Sequence, residues 1–446
     1  LSKNNSCRFV IPRPRAVLAL VVAVLVAAGA ALVTLRRDRA RTGSPPAAAP
    51  APVTTGTGPL SSGPEPAGPD RCRGILLRTA LAGGSAGPDR APRTLEAVAR
   101  SVEEVRGLRF RRLPSPTYLP RREVAARAAR FVDEYPPERE DLDETALVAL
   151  GALPAGTDLR STLSRALGDQ VVGFYDDDSG ELVVASDRGR DLDPEAAVTL
   201  AHELEHALAD QNFELPGGDV PPPGREDAAA AESALVEGDA TLTMQLWALR
   251  NLALRDQLEL GATADRGVFE TLPDFVQRSL LFPYTEGLGF VCARYETGGW
   301  AAVDAAYRDP PDTTAEILFP ERYGRAEPPV EPPAPPAPGP GWQALGHAAL
   351  GAADLWFLFQ APGGDPRRAL DHPRARAGAW AGGRVDVWTR GKERVVAVTL
   401  AERPGAPPLC ESVRTFATRA GLAGATVTCS PGRALLSATA PANSRQ

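Results

Sequence analysis

Lysine is nearly missing from this chain. Lys3 and Lys392 are the only two, so almost all of the 49 basic residues are arginine. That is the mark of a coding bias, and no arginine cluster is read as a phosphate site on count alone. A positive excess is missing too. Against 56 acidic residues the net charge is −7, which argues against a nucleic-acid partner, whose phosphates need a basic surface. No CxxC pair occurs among the five cysteines, so zinc-ribbon and thioredoxin-type motifs are excluded. Histidine is down to four residues. What remains is ordinary: 43% hydrophobic and 24% charged residues exclude global disorder. A length of 446 residues predicts two or three folded units.

Residues 16–35 form an unbroken uncharged stretch, 20 residues long. As a helix such a stretch runs about 30 Å, enough to span a bilayer. Lys3, Arg8, Arg13 and Arg15 precede it, and Arg36, Arg37, Arg39 and Arg41 follow. Flanking charge therefore leaves the orientation open. The expected reading is a single-pass signal anchor in the cell membrane, with 1–15 cytoplasmic and the rest extracytoplasmic. A signal peptide cut near Ala27-Ala28-Gly29-Ala30 is the alternative. Cys72, Cys292, Cys410 and Cys429 follow the segment, while Cys7 precedes it. Four exported thiols allow two disulfides in three connectivities. Nearness in sequence favours Cys410 with Cys429, leaving Cys72 for Cys292.

Composition divides the rest. Residues 36–91 are rich in Pro, Ala and Gly and read as a linker, stalk-like up to about Asp70. A second linker, 325–341, holds eight prolines between 328 and 340. Between them, 92–324 is the larger folded unit, and 342–446 is a smaller α+β module. In the larger unit, helical spacing covers 93–106 and 121–134. The β-prone runs 170–175 and 181–186 flank Asp176-Asp177-Asp178-Ser179-Gly180, a hairpin signal. Asp193-Pro194 supplies an N-cap and a first-turn proline for a helix to about Asp210. Another helix is expected over 226–250. In the smaller module, strands are expected at 384–389, 394–400, 425–429 and 434–438, with a helix over 410–420.

Two of the four histidines fall in His202-Glu203-Leu204-Glu205-His206. With histidine this scarce, a chance HExxH has odds of roughly a few in a thousand. Residues four apart share a helix face, so both imidazoles can reach one metal ion. Glu203 beside them can act as general base toward a water on that ion. The helical wheel sets Leu200, Ala201, Leu204 and Leu208 on the opposite side, and Glu205 off the histidine line as a surface carboxylate.

A catalytic zinc takes three protein ligands and keeps one open position. His347 and His372 lie past the proline-rich boundary and are poor candidates, so the third ligand is expected to be a carboxylate. Glu237 leads, grouped on its wheel with Ala230, Ser233, Ala234, Thr241 and Met244, away from a leucine stripe. Those small residues would let its helix approach the histidine helix. Glu232 and Asp239 are the alternatives, and Asp239 could instead orient a ligand.

His202-Glu203-x-x-His206 followed by a glutamate on a second helix resembles the gluzincin clan of zinc metallopeptidases. The chain is also similar to a group of bacterial proteins sharing Gly173-Phe174-Tyr175-Asp176, Gly180-Glu181-Leu182, the run 202–208, Asp210-Gln211-x-Phe213, Glu237-Gly238-Asp239-Ala240 and Phe282-Pro283-Tyr284-x-x-Gly287. The resemblance implies an α+β, mostly helical zincin-like domain with a small sheet. It implies Zn2+ on His202, His206 and Glu237, Glu203 as catalytic base, and a peptide or protein substrate. It also implies that strand 181–186 is the sheet edge where an extended substrate adds. Where many gluzincins carry an Asp four residues after the ligand Glu, this chain has Thr241. Tyr284 and Tyr295 are the candidates for an oxyanion-stabilising residue. The runner-up function is a non-catalytic surface-binding protein with a structural or degenerate zinc site.

Overall fold

The structure, a computed structural model, describes residues 68–82, 92–133, 135–168, 173–177, 179–186, 192–215, 221–262, 269–325 and 327–440. The predicted anchor at 16–35 and Cys7 lie outside the described residues. No helix among those described is long and apolar enough to cross a membrane.

The fold is α+β and 56% helical, so helix packing builds most of the core. Helices α1 (Gly68–Ala82) and α2 (Leu95–Arg106) come first. Thr94 caps α2 by accepting the Ala97 N–H, and Gly107 ends it in a left-handed conformation at φ 79°. Strand β1 (Pro116–Leu119) is followed by α3 (Arg121–Asp133), α4 (Pro137–Ala149) and α5 (Leu159–Gly168). The predicted hairpin is β2 (Gly173–Asp176) and β3 (Glu181–Ala185). Then come α6 (Pro194–Phe213), α7 (Glu226–Asn251), α8 (Leu254–Ala262), α9 (Asp274–Gly298), α10 (Trp300–Arg308) and α11 (Thr314–Leu318).

The remaining chain is β4 (Gln343–Ala349), α12 (Ala352–Gln360), α13 (Pro373–Ala377), β5 (Trp380–Arg390), β6 (Glu393–Glu402), α14 (Leu409–Ala420), β7 (Thr426–Ser430) and β8 (Arg433–Ala440). Its strands form an antiparallel sheet in the order β4-β5-β6-β8-β7. Six consecutive buried residues, 396–401, show that both faces of β6 are covered.

Three expectations change. First, β3 is not an edge. The smaller sheet runs β1-β3-β2, with β1 parallel and β2 antiparallel to β3. The four-residue strand β1 occupies the side that the sequence left open, so the edges are β1 and β2.

Second, part of the stretch assigned to a linker is the helix α1. Cys72 on α1 joins Cys292 on α9, with Cα atoms 5.3 Å apart. The backbones also touch: a Cβ on Gly289 would lie 2.5 Å from the Gly68 Cα. A disulfide across 220 residues constrains the unfolded chain and typically stabilises by about 2–4 kcal/mol. Cys410 and Cys429 are the other pair at disulfide distance, with Cα atoms 5.9 Å apart. Both pairs are those favoured by sequence spacing.

Third, the proline-rich segment does not separate two cores. Helix α4, from the larger unit, packs against β4, β5, β6 and β8. Its Leu142 sits under Gly346, where an added Cβ would meet Leu142 Cδ1 at 2.5 Å. One apolar cluster runs from Cys72 to Leu436.

Candidate metal centre

The site begins with the local rules that start α6. Asp193 accepts the Ala196 N–H, and Pro194 occupies the first turn, where its missing N–H costs nothing. Twenty residues of helix follow, and the four-residue spacing stacks His202 and His206 with ring centroids 4.6 Å apart. The helix is buried on nearly every side, the histidine side included. Leu200, Ala201, Leu204 and Leu208 are fully enclosed, and so is Glu205.

Glu237 arrives from α7. Its Oε2 lies 3.1 Å from His202 Nε2 and 3.3 Å from His206 Nε2. The three candidate ligand atoms lie within 4.8 Å of one another. Small residues around Glu237 also bring its helix against α9. A Cβ on Gly238 would sit 2.3 Å from the Gly287 carbonyl carbon, and one on Gly287 would sit 2.0 Å from the Ala234 oxygen. They press α7 onto α9, whose Tyr284 then stacks on His202 with centroids 6.2 Å apart.

The alternatives for third ligand lie elsewhere. Glu232 lies toward Arg225, at 3.5 Å. Asp239 is fully buried and faces Arg106 rather than the imidazoles. His347 and His372 do not join the cluster. Tyr284 lies at the site, whereas Tyr295 packs edge-on against Trp300 with centroids 4.9 Å apart.

Burial pushes the His202 imidazole down to about 4, and Glu237 only partly offsets it. Burial opposes charge on His206 as well, but Glu237, Glu203 and Glu205 outweigh it and lift the ring to about 9. Burial also disfavours the charged form of Glu237, yet the two histidines hold its carboxyl well below the usual range.

Glu203, only 1% exposed, accepts the Tyr175 N–H of β2 at 2.8 Å through Oε2. Glu203 and the sheet edge are thus tied together. Burial, then the charges of Glu237 and Glu203, keeps the Tyr284 hydroxyl protonated well above its ordinary value. Thr241, at the position where many gluzincins carry an aspartate, is buried and its Oγ1 makes no hydrogen bond to a described residue. His202 Nδ1 makes none either.

Behind the site lies a cluster that sequence reasoning missed. Arg106, fully buried in the last turn of α2, reaches both Asp239 oxygens at 3.0 Å through Nε. Its Nη2 lies 2.8 Å from Asp304, and Glu205 stands 3.6 Å away. Its guanidinium stacks over Trp300 at 4.5 Å. Glu205 is thus no surface carboxylate. Burial and the neighbouring Asp239 raise its carboxyl well above the usual range, with Arg106 opposing.

Two imidazole nitrogens and one carboxylate oxygen are donors of the kind that suit a transition-metal ion, and they are too poor in oxygen for calcium or magnesium. Compared with known proteins, the chain matches no family model, no curated protein and no solved structure.

Proposed function

We propose that the chain is a zinc-dependent metallopeptidase of gluzincin type, on a zincin-like framework that works outside the cytoplasm. One observation carries the reading: two imidazoles one helical turn apart and a carboxylate from a second helix converge within 4.8 Å. His202, His206 and Glu237 would hold the ion. When bound, zinc would polarise the scissile carbonyl and acidify the attacking water.

The remaining chemistry belongs to the side chains. Glu203, steadied by the Tyr175 N–H, takes the proton of the attacking water and hands it to the leaving nitrogen. Tyr284 keeps its proton and can donate to the oxygen on which charge develops. An extended peptide would dock along β2, the edge strand beside Glu203, instead of the central strand β3. The two cysteine pairs support an oxidising compartment, and residues 16–35 are the proposed membrane anchor.

Hydrolysis of an unstructured peptide by the purified chain tests the proposal. Activity is expected to vanish on treatment with 1,10-phenanthroline and to return with added zinc. Cleavage that withstands complete removal of the metal would contradict the reading, and metal without any cleavage would favour a structural site.

A further inference from the structure

Backbone direction decides what the edge strand β2 can offer to an added strand. Ser186, just past β3, gives its N–H to the Leu119 carbonyl of β1 at 2.9 Å. Along a strand, successive residues turn their N–H and C=O to alternate sides. Leu182 and Val184 therefore face β1 as Ser186 does, while Glu181 and Val183 face β2. Their partners in register are Asp176 and Phe174. That leaves Gly173 and Tyr175 as the residues of β2 whose N–H and C=O point outward, to the side where a strand would add.

One of those two donors is already taken. The Tyr175 N–H donates to Glu203 Oε2 at 2.8 Å. Bonds between strands span the same distance, about 2.7–3.2 Å from nitrogen to oxygen. Glu203 Oε2 thus stands where the carbonyl oxygen of an added strand would stand. An N–H carries one hydrogen, so the carboxylate and that carbonyl compete for it. Contacts on either side of Glu203 hold the arrangement. The Tyr175 hydroxyl donates to Asp210 of α6 at 2.8 Å. Gly173 lies against Thr199 of the same helix, where an added Cβ would come within 3.3 Å of Thr199 Cγ2.

We propose that the bond between Glu203 and the Tyr175 N–H is a latch that an incoming peptide opens. The idea rests on the hydrolase reading for its occupant, an extended peptide lying along β2. A backbone carbonyl of that peptide takes the Tyr175 N–H, and the displaced carboxylate is released for the proton transfer assigned to it. The bond that steadies Glu203 therefore belongs to the peptide-free chain. A charge-assisted hydrogen bond is about twice as strong as a neutral one, so the exchange costs peptide affinity. A ligand with no carbonyl in register with Tyr175 leaves Glu203 on the strand.

Peptide affinity tests the latch, because removing the carboxylate removes the competitor. Rapid-mixing fluorescence anisotropy on the full chain, with zinc in the buffer, reads the Kd of a fluorescein-labelled unstructured peptide before turnover. Glu203→Ala is expected to bind it about tenfold more tightly than the wild type. Glu203→Gln, whose oxygen is a neutral acceptor, is expected to gain less. Tyr175→Pro removes the N–H at a strand edge, where proline is tolerated, and in that background Glu203→Ala is expected to gain nothing. Unchanged or weaker binding by the folded Glu203→Ala variant would overturn the proposal, and so would an equal gain in the proline background. Should Tyr175→Pro fail to fold, the order of the variants carries the test, since equal gains for alanine and glutamine would assign the effect to charge alone. Tighter binding by Glu203→Ala of a chain that cleaves no peptide would uphold the latch and overturn the hydrolase reading. Cleavage by the wild type with no gain in Glu203→Ala would uphold the hydrolase reading and overturn the latch.

Discussion

Replacing Glu203 by glutamine is expected to lower kcat by about 10²–10⁴-fold, the range that a positioned general base contributes, with zinc content unchanged. Glutamine keeps the size of the side chain and an oxygen that can accept the Tyr175 N–H, now made at 2.8 Å. What it loses is the capacity to take a proton. Glu203 is buried and is not one of the three clustered residues, His202, His206 and Glu237, so the substitution leaves those side chains in place. Single-turnover rates on a fluorescent peptide, read alongside metal analysis, check both halves. Wild-type turnover in the variant would remove Glu203 from the mechanism, and loss of metal would give it a structural role instead.

Arg106→Met is expected to destabilise the fold by about 3–5 kcal/mol, because removing one partner strands the buried charges that it served. Here the stranded groups are Asp239, Asp304 and Glu205, from α7, α10 and α6. Glu205 is adjacent to His206, and Asp239 lies two residues after Glu237. Losing the clamp therefore loosens the register between the two ligand-bearing helices. A fall in zinc affinity of about 10–100-fold is expected, the usual cost of losing a residue that supports ligands. Arg106→Lys keeps the charge but cannot fork across Asp239, and should fall between. Denaturant titration with parallel zinc binding reads both effects. A variant as stable as the wild type would show that the cluster carries no net stabilisation.

Legibility in the sequence follows the range of each interaction. Asp193-Pro194 and the pair His202 and His206 act within a few residues, so spacing alone located the helix and the candidate ligands. Glu237 stood apart from its leucine stripe, and the structure brings it to both imidazoles. Ala234 and Gly238 also serve contact with Gly287 on α9, which the wheel of one helix cannot show. Glu205 and Asp239 were illegible because a wheel shows one helix at a time. Their partner Arg106 lies 133 residues before Asp239.

The other misses have the same cause. Strand β1 is four residues long, and its parallel pairing with β3 is what moves β3 to the centre of the sheet. Helix α4 carries Arg139, Asp143 and Glu144, yet all three are buried, and the helix packs on the second sheet. Helix α1 hides in a proline- and glycine-rich stretch, held by a disulfide partner 220 residues away. The departure at Thr241 was visible in the sequence, and the structure adds that neither Thr241 Oγ1 nor His202 Nδ1 finds a hydrogen-bonding partner among described residues.

Zinc binding by the intact chain is the most direct test of the central claim. Equilibrium dialysis of the wild type, His206→Ala and Glu237→Ala, with metal counted by mass spectrometry, gives the answer. The expected result is a single zinc per wild-type chain, with both variants weakened beyond the roughly 10–100-fold that a supporting residue accounts for. A folded wild-type chain that takes up no zinc, or variants that hold it as tightly as the wild type, would contradict the account.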